Sequence, residues 1–180
     1  MRLALLLLGM LFLSIPAYPQ TVLELNQLAV NRLSESKYEE ALRLLDKAIR
    51  KQPRYVFSYV NRARTYVNMS AGNFSSSPNK RTPNFVILAL QDLDYAIKLD
   101  PMNYHLYLMR GNCRGMVKQY QSALDDFNRA IELSPDSPEG YFGRSNIRKQ
   151  MNDREGAAED MEKGYRLSDP RNVQRTMNFD

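Results

Sequence analysis

One cysteine and one histidine are all that this 180-residue chain has of two residue types on which much site chemistry depends. Cys113 alone cannot close an intramolecular disulfide, so packing must hold the fold even in an oxidising compartment. A zinc site needs several Cys or His ligands, which this chain cannot assemble, and neither a metal nor a cofactor is expected. His105 is the one histidine available as a general base, and no nucleophile stands at helical spacing from it. The acidic pairs Asp125-Asp126 and Glu159-Asp160 are adjacent along helical segments, so their carboxylates diverge. No Gly-rich phosphate loop occurs. The chain therefore reads as a non-enzyme, with no catalytic residues and no small-molecule substrate.

Charge of one sign is lacking too. The net charge is +5, and acidic and basic residues alternate, as in Asp153-Arg154-Glu155 and Glu159-Asp160-Met161-Glu162-Lys163. A nucleic-acid binder concentrates its basic residues on one face; the alternation here describes solvated helix surface, and no nucleic-acid partner is expected. Hydrophobic residues at 43% and charged residues at 25% are ordinary for a folded domain.

Long apolar runs are missing except at the start. Arg2 precedes an apolar stretch from Leu3 to Leu13, followed by Ser14-Ile15-Pro16-Ala17. Charged, apolar and small residues in that order describe a secretory signal peptide over residues 1–20. The stretch is about half of the roughly 20 residues a spanning helix requires. Cleavage after Ala17 or near Gln20 gives a secreted or periplasmic chain. A leader left uncleaved would be the one membrane contact.

What fills the rest is a repeat. Ala41-Leu42 to Pro53, Ala89-Leu90 to Pro101 and Ala123-Leu124 to Pro135 each read Ala-Leu, then Ala-Ile seven residues on, then proline. A worn fourth copy runs from Ala157-Ala158 to Asp169-Pro170. Upstream, Tyr59 to Ala63, Tyr107 to Gly111 and Tyr141 to Ser145 share an aromatic, an arginine and a small residue; Leu25, Leu28 and Ala29 hold those places in the first copy. Four contiguous units follow, at 22–55, 56–103, 104–137 and 138–171, with a tail at 172–180. The second unit carries an insertion at about 71–84, rich in Ser, Asn, Pro and Gly, in the turn between its helices. It is either a neutral surface loop, tolerated because closure entropy grows slowly with length, or a partner contact with Phe74 as anchor and Lys80 and Arg81 as charge. Asn68-Met-Ser70 and Asn73-Phe-Ser75 match the glycosylation acceptor rule.

Each unit holds two amphipathic windows with apolar or small residues at i, i+3, i+4 and i+7, the period of a helix with one buried face. Ser36 to Glu39 and Asn152 to Glu155 read as capping boxes that start second helices. Ser137-Pro138 reads as a cap followed by proline in the first turn. Proline at 53, 101 and 135 ends each hairpin. Residues placed symmetrically about the internal turn should touch across an antiparallel hairpin. The pairs are Leu28 with Leu44, Arg62 with Asp92, Arg110 with Asp126, and Arg144 with Asp160: one apolar contact and three ion pairs that align hairpins.

The pattern Tyr107, Gly111, Tyr120, Ala123, Phe127, Ala130 and Pro135 resembles the tetratricopeptide repeat family, and the resemblance extends over about 150 residues. Arg32, Arg114 and Arg148 stand where the family often has a tyrosine. The resemblance implies an all-α, right-handed α-solenoid of four helix-turn-helix repeats, with first helices lining a concave face that takes a protein or peptide partner. On that register the face is built from Leu23, Asn26 and Val30, then Phe57, Val60, Asn61 and Arg64. It continues with His105, Leu108, Asn112 and Met116, and with Glu139, Phe142, Asn146 and Lys149. Asparagines there can hold the main chain of an extended segment, unless the apolar members pack between neighbouring units instead. The second functional reading is a structural subunit of an envelope complex, packing through its terminal repeat, where Ala157, Ala158, Met161 and Tyr165 leave a partly apolar end. N-terminal sequencing of exported protein should find a chain beginning just after Ala17 or near Gln20; a chain still beginning at Met1 would refute the leader.

Overall fold

The computed structural model describes residues 21–71 and 84–169. The leader at 1–20, Phe74, Lys80 and Arg81 of the insertion, and the tail at 172–180 lie outside them. The described residues form eight α-helices: α1 (Val22–Ser34), α2 (Tyr38–Lys51), α3 (Val56–Ala71), α4 (Phe85–Leu99), α5 (Tyr104–Met116), α6 (Tyr120–Leu133), α7 (Pro138–Gln150) and α8 (Arg154–Ser168). Consecutive helices pair as antiparallel hairpins, α1 with α2 through α7 with α8, and each second helix also packs on the first helix of the next hairpin. First helices meet along the stack, α1 with α3 and α5 with α7, whereas second helices stay apart. The α-solenoid therefore curves with its first helices on the inner side.

Local chemistry sets the punctuation. Gln52, Asp100 and Ser134 close α2, α4 and α6 in one extended conformation, with φ of −142°, −140° and −147°. Each precedes a proline, whose ring excludes helical backbone from the residue before it. Within hairpins, Ser36, Lys118 and Asn152 sit at φ of 57°, 61° and 66°. The amides of Lys37, Gln119 and Asp153 donate back to the carbonyls of Arg32, Arg114 and Arg148 at 2.9 Å. This left-handed closure satisfies the last carbonyls of the first helix.

The two expected capping boxes are corrected by that geometry. Ser36 and Asn152 are spent in ending the preceding helix, so they cannot also cap the next. The N-cap falls one residue later: Lys37 caps α2 without a side-chain bond, and Asp153 caps α8 by accepting from the Gly156 amide at 3.0 Å. The capping box that does form is at Thr21 and Glu24, where each side chain accepts from the other's backbone amide. Ser137 precedes Pro138 at the start of α7, but its hydroxyl donates to the Glu139 carboxylate instead of accepting from the backbone.

The core follows the small residues of the repeat. Ala41, Ala48, Ala63, Ala89, Ala96 and Ala123 are fully buried where helices approach closely. Phe127, 1% exposed, is the largest fully buried side chain and fills the joint between the third and fourth hairpins. Its ring lies where a Cβ on Gly111 would come within 3.0–3.2 Å, and a Cβ on Gly143 would run into it outright. Two helices close on one aromatic ring because two side chains are absent.

Gly143→Ala should therefore destabilise the fold by about 1–3 kcal/mol through overpacking, despite the roughly 1 kcal/mol that alanine gains over glycine inside a helix. Urea unfolding measures it. A stabilised variant would mean that Phe127 has room to move, and Phe127→Leu in the same chain should relieve the loss.

Candidate functional site

The inner face depends on how first helices are held to second helices. Arg62 of α3 forks onto Asp92 of α4, its Nε and Nη2 donating at 2.8 and 2.6 Å. Arg110 of α5 does the same to Asp126 of α6, and Arg144 of α7 to Asp160 of α8, with Nη2 donating at 2.6 Å in each case. The three carboxylates are buried. The remaining Nη1 of each arginine reaches back to the second helix of the previous hairpin, at 2.7 Å: to Asp46, to Asp94 and to Asn128. Each guanidinium therefore ties three helices at once. Three residues earlier, Tyr59, Tyr107 and Tyr141 lie under those guanidinium groups, with ring centroids 5.6–5.8 Å away. Their hydroxyls donate to the carbonyls of Pro53, Pro101 and Pro135.

The arginines that stand where the second hairpin has Tyr66 have a place in this scheme. Arg114 and Arg148 donate a second cation to the buried Asp126 and Asp160, at 2.9 and 2.8 Å. Their Nη1 atoms also cap the carbonyls of Ser122 and Gly156 across the hairpin turn. In the first hairpin, where Leu44 holds the aspartate's place, Arg32 turns outward to Glu35 and Glu40. The second hairpin keeps Tyr66, stacked on Phe85, so among the described residues Asp92 has only Arg62 as a cation. Burial raises the carboxyl of Asp92 against the lowering effect of that arginine, and Arg62 is in turn held charged by its bonds to Asp92.

Two clefts lined by described residues open on the inner face. One, of about 270 Å³, lies between α1 and α3 and is lined by Leu23, Asn26, Gln27, Val30, Tyr55, Phe57 and Asn61. Leu23 and Phe57 are 67% and 60% exposed there. The other, of about 350 Å³, lies between α5 and α7 and is lined by Asn112, Gly115, Met116, Lys118, Tyr120, Asn146, Ile147 and Gln150. Between them α3 and α5 approach less closely than the other first-helix neighbours, with Arg64 and His105 exposed along that interval.

The expected partner-binding residues divide between these places. Asn112, Met116 and Asn146 come together in the α5–α7 cleft, and their side chains are exposed. Asn61 lines the α1–α3 cleft, yet its amide is committed: it donates to Asn26 at 3.0 Å and accepts from Arg64 at 3.1 Å. Asn26 is buried and donates to the Val22 carbonyl and to Ser58. Leu108 is buried in the core and Val60 packs partly against it. Phe142 lies where a side chain on Gly164 would stand and meets Tyr165 edge-on at 5.4 Å, so it serves the last hairpin. Gln150, Tyr120 and Lys118 were not expected; they enter from the turn side of the hairpin, outside the strict first-helix stripe. Cys113 is 3% exposed and burial pushes its thiol up to about 11, which suits packing and not nucleophilic work. No group of three or more metal-ligating side chains occurs among the described residues, and no helix there is long and apolar enough to cross a membrane.

Comparison with known proteins agrees with this architecture. A family model described as tetratricopeptide repeat matches residues 104–137, the interval of α5 and α6. The fold is similar to TTC0263, a thermophilic TPR protein of Thermus thermophilus, at 22% identity, covering 89% of this chain and 80% of that one with a TM-score of 0.71. It is also similar to MamA from Desulfovibrio magneticus RS-1, at 16% identity, covering 83% and 76% with a TM-score of 0.69. Another MamA crystal structure matches at 19% identity, 78% and 74% coverage and a TM-score of 0.66. No curated protein matches the chain in sequence.

Removing an arginine should cost according to what its aspartate keeps. Arg62→Ala strands Asp92 with no second cation among the described residues and should lose about 3 kcal/mol, the low end for a broken buried pair. Arg110→Ala leaves Arg114 on Asp126 and should lose about 1–2 kcal/mol less. In Arg62→Ala, burial, with a contribution from the nearby Asp46 carboxylate, holds the Asp92 pKa above its unfolded value, so the ionised carboxylate is what costs. The deficit should then shrink as pH falls through that raised pKa. Urea unfolding of both variants between neutral and mildly acidic pH measures this; equal losses would contradict the ranking.

Proposed function

We propose that the chain is a protein-interaction scaffold of an exported compartment, which holds an extended segment of a partner against the inner face of the solenoid. The observation that carries this reading is the α5–α7 cleft, where Asn112, Asn146 and Gln150 stand exposed beside Met116 and Tyr120. Side-chain amides supply both donors and acceptors, which suits the alternating N–H and C=O groups of an extended main chain. Met116, 50% exposed, adds an adaptable apolar contact. The α1–α3 cleft adds a second, more apolar foothold in Leu23 and Phe57. Its asparagines are spent within the protein, so it contributes side-chain burial and not main-chain recognition. Placement in an exported compartment is supported by the charged, apolar and small-residue order of residues 1–17.

A displayed library of random peptides, selected on the chain from residue 21 onward, tests the site. Enriched peptides should lose about tenfold or more in affinity for Asn112→Ala/Asn146→Ala and for Met116→Lys, a loss of about 1.4 kcal/mol or more. They should bind Gln91→Ala, altered at an exposed position of α4, as well as the parent. Peptides indifferent to the inner-face changes would place recognition elsewhere.

A further inference from the structure

The joint between repeats is made three times in this chain with the same chemistry. An incoming first helix brings a tyrosine, and three residues on an arginine that donates to a fixed place on the preceding second helix. Those places are Asp46, Asp94 and Asn128. In the second to fourth hairpins that place lies two residues beyond the buried aspartate, which puts Glu162 there on α8. The faces of α2, α4 and α6 are covered by α3, α5 and α7. Among the described residues no helix covers α8 in this way, and the Glu162 side chain is 71% exposed, 3.7 Å from Arg166. Beside it Tyr165 is 65% exposed and Met161 half-buried.

We propose that this face of α8 docks an amphipathic helix of a partner protein that carries an aromatic residue and, three residues on, an arginine, so continuing the stack. The surface is separate from the inner clefts and does not depend on the reading given to them. Two other occupants are disfavoured by their sequences. A second copy stacked head to tail would present Leu25 and Leu28 of α1 where the joint uses tyrosine and arginine. It would partly desolvate Glu162 against leucine with no cation brought by the incoming helix, which is costly. Within residues 170–180 no aromatic is followed three residues on by an arginine. A partner helix with the aromatic–arginine pair supplies what both lack, by the same charge-assisted bond that closes the interior joints.

A labelled peptide of residues 102–117, constrained as a helix through its solvent side, serves as the probe, because its Arg110 already meets an acid in this way at Asp94 while Tyr107 donates to the Pro101 carbonyl. Anisotropy titration of the full chain should show saturable binding, weakened about tenfold by Glu162→Lys. Binding to the Glu162→Lys chain should return when the peptide carries Arg110→Glu. Binding indifferent to both changes, or none at all, overturns the proposal. So does binding that appears only when the chain is ended at residue 169, which would assign the face to the tail. Light scattering that shows a dimer dissociated by Glu162→Lys would assign it to a second copy, and equally overturn the proposal.

Discussion

One guanidinium tying three helices is the constraint from which the rest of this array follows. An α-helical hairpin cannot bury its apolar face alone and must borrow the next. Apolar packing between hairpins is tolerant of sliding, because leucine and alanine surfaces have no fixed partner atoms. A planar fork bonded to side-chain oxygens on two different second helices is not tolerant: it sets the spacing within a hairpin and the rise to the previous one together. Arg62, Arg110 and Arg144 do this with near-identical distances although their surroundings differ. The buried aspartates contribute little net stability by being charged. Their effect is on register.

The curvature and the clefts come from that register. Second helices are held by arginines that reach over from neighbouring first helices, and first helices crowd against one another where their side chains are small. Gly115 of α5 accepts the tip of Ile147 of α7, which brings those two helices close while leaving Asn112 and Asn146 at the rim. At the other end Asn26, Ser58 and Asn61 join α1 to α3 by hydrogen bonds. The same residue type, asparagine, therefore serves cohesion in one cleft and remains open in the other. What separates them is burial, and burial depends on neighbours contributed by another repeat.

This distinction marks how much could be read from residues alone. Pairs within a hairpin were legible, because positions symmetric about a turn must meet; Arg110 and Asp126 are found so without any coordinates. The reach-back bonds to Asp46, Asp94 and Asn128 were not, since they require the angle between successive hairpins. The second role of Arg114 and Arg148 was hidden for the same reason: along the chain they look like departures from a tyrosine pattern, and only the buried carboxylate explains them. Ser36 and Asn152 misled because a short polar residue before an acidic one fits both a helix start and a left-handed helix end, and backbone sign decides between them. Leu108 and Phe142 were assigned to the open face by helical period alone. Leu108 is claimed by the core between repeats, and Phe142 by the space left at Gly164.

The array is also polar in a way that composition conceals. Every interior joint has a giver, the tyrosine and arginine of a first helix, and a receiver, the following proline's carbonyl and a side-chain oxygen of the previous second helix, from Asp46, Asp94 or Asn128. The first hairpin has Leu25 and Leu28 in the giving positions but keeps the receiver Asp46. The last hairpin has the giver Tyr141 and Arg144 and again a receiver, Glu162. One end thus lacks half of the joint chemistry while the other retains its half, exposed to solvent. If the joint served stability alone, a face that no described helix covers would have no need of an acid in register, and any polar residue would do. Asn128 already shows that a neutral acceptor is sufficient for a joint inside the array. A carboxylate at the exposed end strengthens attraction to a cation approaching from solvent, where an amide would give direction without range.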